Sequence, residues 1–593
     1  MPHCATSRTG SPIDSPLAGP HSGRGRRGPT LTGLSAWRAR AAWFGRGQRL
    51  TLLASGMLTW VVLAAGVATS RVTWAADPIP LRVEVVDAET GQPLACRVYL
   101  TDAQGEPRFA RSLSPTGRAV EYNVRRSPTS HEQHTTVSAD PFGFEVLPNS
   151  RLRLICERGK EYLPVTRELQ VADQPQSVRV ELRRFANLPK QGWHSGDTHL
   201  HRRLDECGHL AEAEDLHVVF PLTYWVREAY LPANRGPQAE GVVPQLQRLP
   251  GPRFVWPVNT EYELFTVGGK PHTQGAVFVL NHKEPLDLAA PPVAPIGAAA
   301  RQAGALLDLD KHSWNWTVMI VPLMPADLFE VANNHVWRTE FLFRTWTIEQ
   351  APRTWDLPIR DGGLDEQGWI DWGLKTWYAF LNCGFRLRPT GGTGSGVHPV
   401  PAGFGRVYVH TGPELDYDRW VAGLNAGQSF VTTGPLLPAR FNNELPGHRF
   451  EGRPGEPMTI TAAGTAESVG RLRRIEVVVN GEVTETLTPT NEPLPHGGFR
   501  SPWRSTVTLR ESSWVAVRCW EESGGERLRY AHTAPVHVEI DGPVRPRRRE
   551  VAHFIERMEQ EIARNTGVLA DAEVAEYRRA LEIYRELARR ARD

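Results

Sequence analysis

The chain has 593 residues, more than one hydrophobic core accommodates, so several domains are expected. Its 68 Lys+Arg against 66 Asp+Glu leave a net charge of only +2, with much of the arginine excess at the two ends of the chain. No basic footprint of the kind that binds nucleic acid is visible, and nucleic-acid partners are set aside on that ground.

Residues 1–47 are rich in Arg, Gly, Ser and Pro, and residues 50–68 are nearly all apolar. The pattern predicts a signal peptide over 1–76, cleaved around Ala75-Ala76, with Met57 as an alternative start. It implies an exported protein, periplasmic or extracellular, with no stable membrane insertion after cleavage. An uncleaved anchor is the alternative, because the apolar run is close to spanning length. Five cysteines remain beyond the leader, too few for a disulfide scaffold, and Cys96 and Cys156 are read either as a pair or as buried free thiols.

Over 77–190, alternating runs such as Leu81-Arg82-Val83-Glu84-Val85 between turn signals predict a β-sandwich whose role is packing, adhesion or positioning. Over 191–437, apolar runs at 216–220, 254–258, 276–280, 305–309, 318–323 and 329–332 predict strands alternating with helical segments such as 296–303, an α/β layout. A second β-sandwich is expected over 438–541, where residues 474–479, Asn480-Gly481 and 483–487 read as one hairpin. In the tail, 546–593, Phe554, Ile555, Met558 and Ile562 share one helical stripe. A break at Asn565-Thr566-Gly567 precedes a second stripe of Val574, Tyr577, Leu581 and Tyr584. This predicts a helical hairpin, packed on the body or forming a homo-oligomer with a second subunit.

Asp197, His199 and His201 are spaced by two, so at a strand end two imidazoles and a carboxylate converge. That set suits a transition metal, with Asp197 either a ligand or a partner that orients a ring from behind. The spacing recurs after later apolar runs, in Glu261 and Glu263 and again in Asp308, Asp310 and His312. His282, His335 and His398 end further runs or loops, and in a barrel the reactive groups gather where strands end. Glu263 or Asp310 is the expected proton acceptor. The glycine-rich run 390–396 is either an anion cradle or, as we read it, a close-approach loop at the site mouth, since it lacks the Gly-Lys-Ser/Thr ending of a nucleotide loop. Trp314 and Trp316 are read as substrate contacts or as packing, and Arg406 as an anion partner or a structural one. No Gly-x-Ser-x-Gly elbow occurs, which argues against a serine hydrolase.

The segment Gly192-Trp193-His194-Ser195-Gly196-Asp197-Thr198-His199-Leu200-His201, directly after a β-sandwich, resembles the first motif of the polymerase and histidinol phosphatase (PHP) superfamily in its CehA/McbA, carbaryl-hydrolase-like branch. Asn333-Asn334-His335, Leu381-Asn382-Cys383-Gly384-Phe385-Arg386, Phe404-Gly405-Arg406-Val407-Tyr408-Val409 and the run from Gly423 to Pro435 extend the resemblance. It covers most of residues 192–437, and the module over 77–190 is similar to carboxypeptidase-regulatory-like sandwiches. The resemblance implies a distorted (β/α)7 barrel holding divalent metal, zinc in the first instance with manganese or iron as alternatives. It implies a metal-bound water attacking a phosphoester, carboxylic ester or carbamate in a small-molecule or polymer substrate.

On that template the metal ligands are His199, His201 and the bridging Glu261, with His312 where a later His is expected; His335 and His398 are further candidate ligands. Two departures matter. Tyr224-Trp225 stands where the family places an Asp-His pair, and Gly394-Ser395-Gly396-Val397-His398 stands in place of a late Asp-x-His. The cluster is then reduced in ion count or rebuilt from Asp310, His312, His335 and His398. The alternative function is a degenerate barrel kept as a carbohydrate- or polymer-binding module, for which the 19 tryptophans would supply a groove.

Overall fold

In the first strand of the folded body, Ile79–Asp87, Leu81, Val83 and Val85 are buried while Arg82 and Glu84 face out, the period-two pattern of a half-buried strand. The computed structural model describes residues 77–233, 242–522 and 527–592, so the expected leader over 1–76 lies outside the described residues. Residues Trp74–Asp593 cluster as one compact unit. The fold is mixed α/β and strand-rich, with seven α-helices among the described residues. None of them is long and apolar enough to cross a membrane.

Ile79–Asp87 belongs to a four-stranded sheet with Gln176–Leu182, Phe142–Val146 and Arg111–Ser112. A second sheet, built on Ala119–Arg125, His131–Val137, Cys96–Asp102, Arg151–Glu157 and Val165–Gln170, closes over the same core of Leu81, Val98, Phe144 and Leu154. All five described cysteines are buried and free, so Cys96 and Cys156 lie on paired strands without a bond.

The central region is built on two sheets that share one apolar core, with Phe220, Val407 and Val431 from one and Phe278, Leu307 and Phe329 from the other. One sheet has six strands, ordered Tyr224–Glu228, Thr260–Val267, Lys270–Leu280, Leu306–Leu309, Leu328–Ala332 and Arg388–Gly391. The other carries Arg253–Val255, Val218–Pro221, Trp193–Leu200, Arg406–His410 and Ser429–Thr432 as successive neighbours. Both sheets mix parallel and antiparallel pairs, unlike a regular succession of strand and helix. Thr260–Val267 and Lys270–Leu280 form an antiparallel hairpin whose turn, Gly268-Gly269, takes φ of 57° and 73°, where a side chain would be strained.

Two expectations are corrected. Residues 318–323, read as a strand, lie in the helix Thr317–Leu323, where Val318, Met319, Ile320 and Val321 are all buried. A short run apolar on every side satisfies a buried helix as well as a strand, and here the C-terminal helix covers its outer face, with Tyr584 Oη donating to the Val318 carbonyl at 2.7 Å. The break drawn at 437/438 cuts a continuous sheet, because Ser429–Thr432 pairs with Tyr530–Thr533 and the ladder continues through Ser513–Glu521 to Leu472–Val479. The Asn480-Gly481 hairpin forms as read, with positive φ at both residues.

The tail folds into helices Arg548–Asn565 and Asp571–Arg589, packed on the body. Phe554, Met558, Val574 and Tyr577 are buried within the chain, and the Glu576 carboxylate accepts from the Val293 and Ala294 N–H groups at 2.8 and 2.9 Å. Those amides open the helix Ala294–Gln302, whose unpaired N–H groups favour a negative charge.

Candidate metal centre

The strand Trp193–Leu200 is buried along its whole length and delivers His199, followed directly by His201, into the space between the two central sheets. Their Nε2 atoms face each other at 3.2 Å, and His201 Nε2 lies 3.1 Å from Glu261 Oε2. Glu261 and Glu263 come from Thr260–Val267, Asp310 follows Leu306–Leu309, and Glu330 sits inside Leu328–Ala332. The ligand atoms of His199, His201 and Glu261 lie within 4.8 Å of one another, as do those of His199, Asp310 and Glu330, and those of Glu261, Glu263 and Asp310. Buried His and carboxylate groups that could hold a metal ion therefore converge from four strands or strand ends.

Electrostatics favour the same conclusion. Burial, with the Asp310 carboxylate beside it, pushes Glu261 well above the usual carboxylate range. Burial and Glu261 push Glu263 up to about 8. Burial and the charges of Asp310 and Asp308 push Glu330 well above the usual carboxylate range. His201 is held down to about 4, mainly by burial, and His199 well below the usual imidazole value by burial and His201, so both rings are neutral and carry a lone pair. Asp310 Oδ1 and Glu261 Oε2 are buried without a hydrogen bond, the latter despite the nearby His201 ring. Crowded carboxylates with unsatisfied oxygens are costly unless a cation joins them, so the donor set fits a divalent ion.

Two residues that the sequence reading passed over belong to this centre. Glu330 Oε2 pairs with His199 Nδ1 at 2.9 Å, and its Oε1 accepts from the Asn334 N–H at 3.0 Å. A carboxylate inside the apolar run Leu328–Ala332 was the available signal. Lys311 is buried, donates to Asp310 and lies over the Trp314 ring, 4.9 Å from its centre. Its neighbour Asp310 also accepts from Trp314 Nε1 at 2.6 Å.

The remaining expected residues divide. Asp197 neither faces the cluster as a ligand nor touches a ring nitrogen. It accepts from the Gly403 N–H at 2.8 Å, the Thr393 hydroxyl at 2.7 Å and the His199 N–H at 3.0 Å, tying the strand Trp193–Leu200 to the glycine-rich loop. His312 does not join the centre, because its ring is wedged between Trp369 and Trp372 of the helix Glu366–Asn382, 4.4 and 4.6 Å away. His335 and His398 line the same cavity as His199 and His201 but belong to none of the three groupings. Their rings are 5.3 Å apart, and His335 stacks on Phe343 at 3.7 Å.

His282 is structural: Thr260 Oγ1 meets its Nε2 at 3.0 Å and the Glu284 carbonyl its Nδ1 at 2.5 Å. Asp308 accepts from Thr390 Oγ1 at 2.8 Å. Arg406 is buried and donates to the carbonyls of Gly403 and Glu214, a structural role. Trp314 lines the cavity, whereas Trp316 is fully buried with Nε1 on Tyr577.

The loop over 390–396 is the close-approach loop and not an anion cradle. The Thr393 and Gly394 N–H groups both go to the His199 carbonyl, the Ser395 N–H goes to Thr393 Oγ1, and the Gly396 N–H goes to Tyr122 Oη. A Cβ at Gly392 would stand 2.3 Å from His199 Cβ. Where the resemblance leads one to expect an Asp-His pair, Trp225 packs tilted against the His201 ring at 4.7 Å and donates from Nε1 to Glu263 at 3.1 Å. These side chains open into a cavity of about 480 Å³ whose rim includes Arg126 of the N-terminal sandwich. No family model, curated protein or solved structure matches the chain.

Proposed function

We propose that the chain is a metal-dependent hydrolase of ester-type bonds, phosphoester, carboxylic ester or carbamate, on a distorted PHP-like barrel of the CehA/McbA kind. The observation that carries the reading is the convergence of two neutral imidazoles with buried, incompletely satisfied carboxylates at one end of an open cavity. His199, His201 and Glu261 would hold one divalent ion, with Asp310, Glu330 and Glu263 as donors for the same ion or a neighbour. Two nitrogens and a carboxylate oxygen suit zinc, and manganese and iron accept the same set. Such an ion, when bound, lowers the pKa of water and polarises a carbonyl or phosphoryl oxygen.

The chain's own groups do the rest. Glu263, anchored by Trp225 and facing the cavity, is placed to exchange a proton with the reacting groups. Asp310, with one oxygen tied by Trp314 and Lys311, keeps the other for a cation, a role distinct from the proton acceptor expected of it. Lys311 lines the cavity and sets a fixed positive charge against negative charge developing on substrate oxygen.

A second reading, a non-catalytic binding module, draws on one observation: the Lys311 ammonium already neutralises part of the acidic cluster. Elemental mass spectrometry of the purified chain beside a His199→Ala/His201→Ala variant separates the two. Zinc, manganese or iron present in the first and lost in the second, with turnover of phosphate, carboxylic or carbamate esters, supports the hydrolase. A folded protein that takes up none of these ions on dialysis refutes it in favour of the module.

A further inference from the structure

The cavity above the candidate centre has an unusual division of chemistry. Its wall is a chain of rings: Phe265 meets Trp314 at 6.1 Å, Trp314 meets Trp346 at 5.3 Å, Trp346 meets Phe343 at 5.6 Å, and Phe343 meets Trp337 at 5.0 Å. Asn334 is the one neutral polar side chain among the described lining residues apart from the aromatic and histidine rings. An apolar substrate body needs only apolar surface and ring edges, which this wall supplies.

Two exposed arginines stand on the same lining. Arg126, at the tip of the hairpin between Ala119–Arg125 and His131–Val137 of the N-terminal sandwich, donates from one guanidinium nitrogen to the Val397 carbonyl at 2.8 Å. Arg227 lies over Trp225, 4.8 Å from the ring centre. Neither forms an ion pair with a described residue, although both are within the reach of solvent and of a ligand in the cavity. Lys311, the other cation of the described lining, is buried and paired with Asp310, so Arg126 and Arg227 are the exposed, unpaired charges that an anionic group on a ligand meets.

From this arrangement we infer that the preferred substrates are esters carrying an anionic substituent, and that Arg126 and Arg227 read that charge. The inference rests on the hydrolase reading for the word ester, but the charge preference is a binding property in its own right. It also gives the N-terminal sandwich a specificity role beyond the packing expected of it.

The test uses the full chain and a near-isosteric ligand pair, 2-naphthalenesulfonate and neutral 2-naphthalenesulfonamide, with binding followed by quenching of tryptophan fluorescence. The sulfonate is expected to bind about tenfold more tightly, a charge-assisted bond's worth, with the margin shrinking at high salt. Arg126→Gln and Arg227→Gln should each cut the preference at least threefold or so while leaving sulfonamide binding in place, and Arg126→Lys should restore part of it. Equal affinity for both ligands, or a preference unmoved in both Gln variants, overturns the proposal. Naphthyl esters with and without a sulfonate are then offered as substrates. Failure to hydrolyse either ester with the binding preference intact counts against naphthyl esters as substrates and keeps the charge-reading pair, whereas hydrolysis without preference overturns the pair alone.

Discussion

Glu330 holds the ring of His199 from behind: its Oε2 lies 2.9 Å from Nδ1, while the Nε2 of the same ring faces His201. An ionised carboxylate only accepts, so it fixes the ring proton on Nδ1 and leaves the Nε2 lone pair for a cation. Burial and its acidic neighbours resist that ionisation, and a bound cation reverses the resistance. Glu330→Gln should therefore weaken metal affinity about 10- to 100-fold, as loss of such supporting groups does elsewhere. Competition with a fluorescent zinc chelator measures it, and wild-type affinity in the variant would show that Glu330 has no part in the centre.

Asp197 acts on the loop and not on the ion. Burial lifts its carboxyl to about 6, and it accepts from the Thr393 hydroxyl and the Gly403 and His199 N–H groups. Asp197→Ala strands buried donors on both sides of the contact and should cost about 3 kcal/mol, read by urea unfolding of the metal-free protein. A loss confined to metal binding, with unchanged stability, would return Asp197 to the ligand set.

Gly396 takes φ of +114°, and a Cβ there would stand 2.2 Å from the His201 carbonyl oxygen. Gly396→Ala forces the loop off the strand that carries both histidines, so stability should fall by roughly 2–3 kcal/mol and metal content with it. Calorimetry and elemental analysis on one sample check both, and a wild-type melting temperature in this variant contradicts the close approach.

Tyr122 reaches from the N-terminal sandwich to the same loop, donating to the His398 carbonyl at 2.5 Å and accepting from the Gly396 N–H at 2.8 Å. Tyr122→Phe removes both bonds and keeps the ring, for a loss of about 1–2 kcal/mol. Hydrogen exchange at Gly396 should accelerate in the variant. Unchanged exchange there would mean that the sandwich does not steady the loop.

What the sequence disclosed and what it hid follow from the range of the interactions involved. Period-two spacing put His199 beside His201 and Glu261 near Glu263, because strand geometry is local. It failed for Asp197 and His312: the first finds a loop nearly two hundred residues downstream, and the second finds tryptophans on a helix the local pattern does not place. Glu330 and Lys311 were hidden because a lone carboxylate in an apolar strand and a lysine next to an aspartate look ordinary until the strands are assembled. The helix Thr317–Leu323 was hidden for the same reason, since only the C-terminal helix over it explains why its outer face is apolar. Arg126 lay in a module read as packing, and its place on the cavity depends on a docking of domains that no local pattern encodes.

His282 tests the separation of structural from reactive histidines. Its ring is wholly buried with both nitrogens engaged, and burial lowers its pKa from 6.5 to about 4. Between those values the unfolded chain binds a proton that the folded ring refuses, so the unfolded state holds more protons and stability falls as pH drops from 6.5 toward 4. The gap from 6.5 to about 4, at about 1.4 kcal/mol for each pH unit, makes the full effect ~3 kcal/mol below the window and nothing above it. His282→Gln loses the packing and bonds at every pH but carries no titrating group. Its deficit against wild type should therefore be largest at pH 7.5 and shrink steadily by pH 4.5, as read from paired denaturant unfolding curves of the metal-free proteins. A deficit that stays constant over that range, or a His282 ring that titrates near 6.5 by NMR, means the ring is open to solvent and free to serve the centre after all.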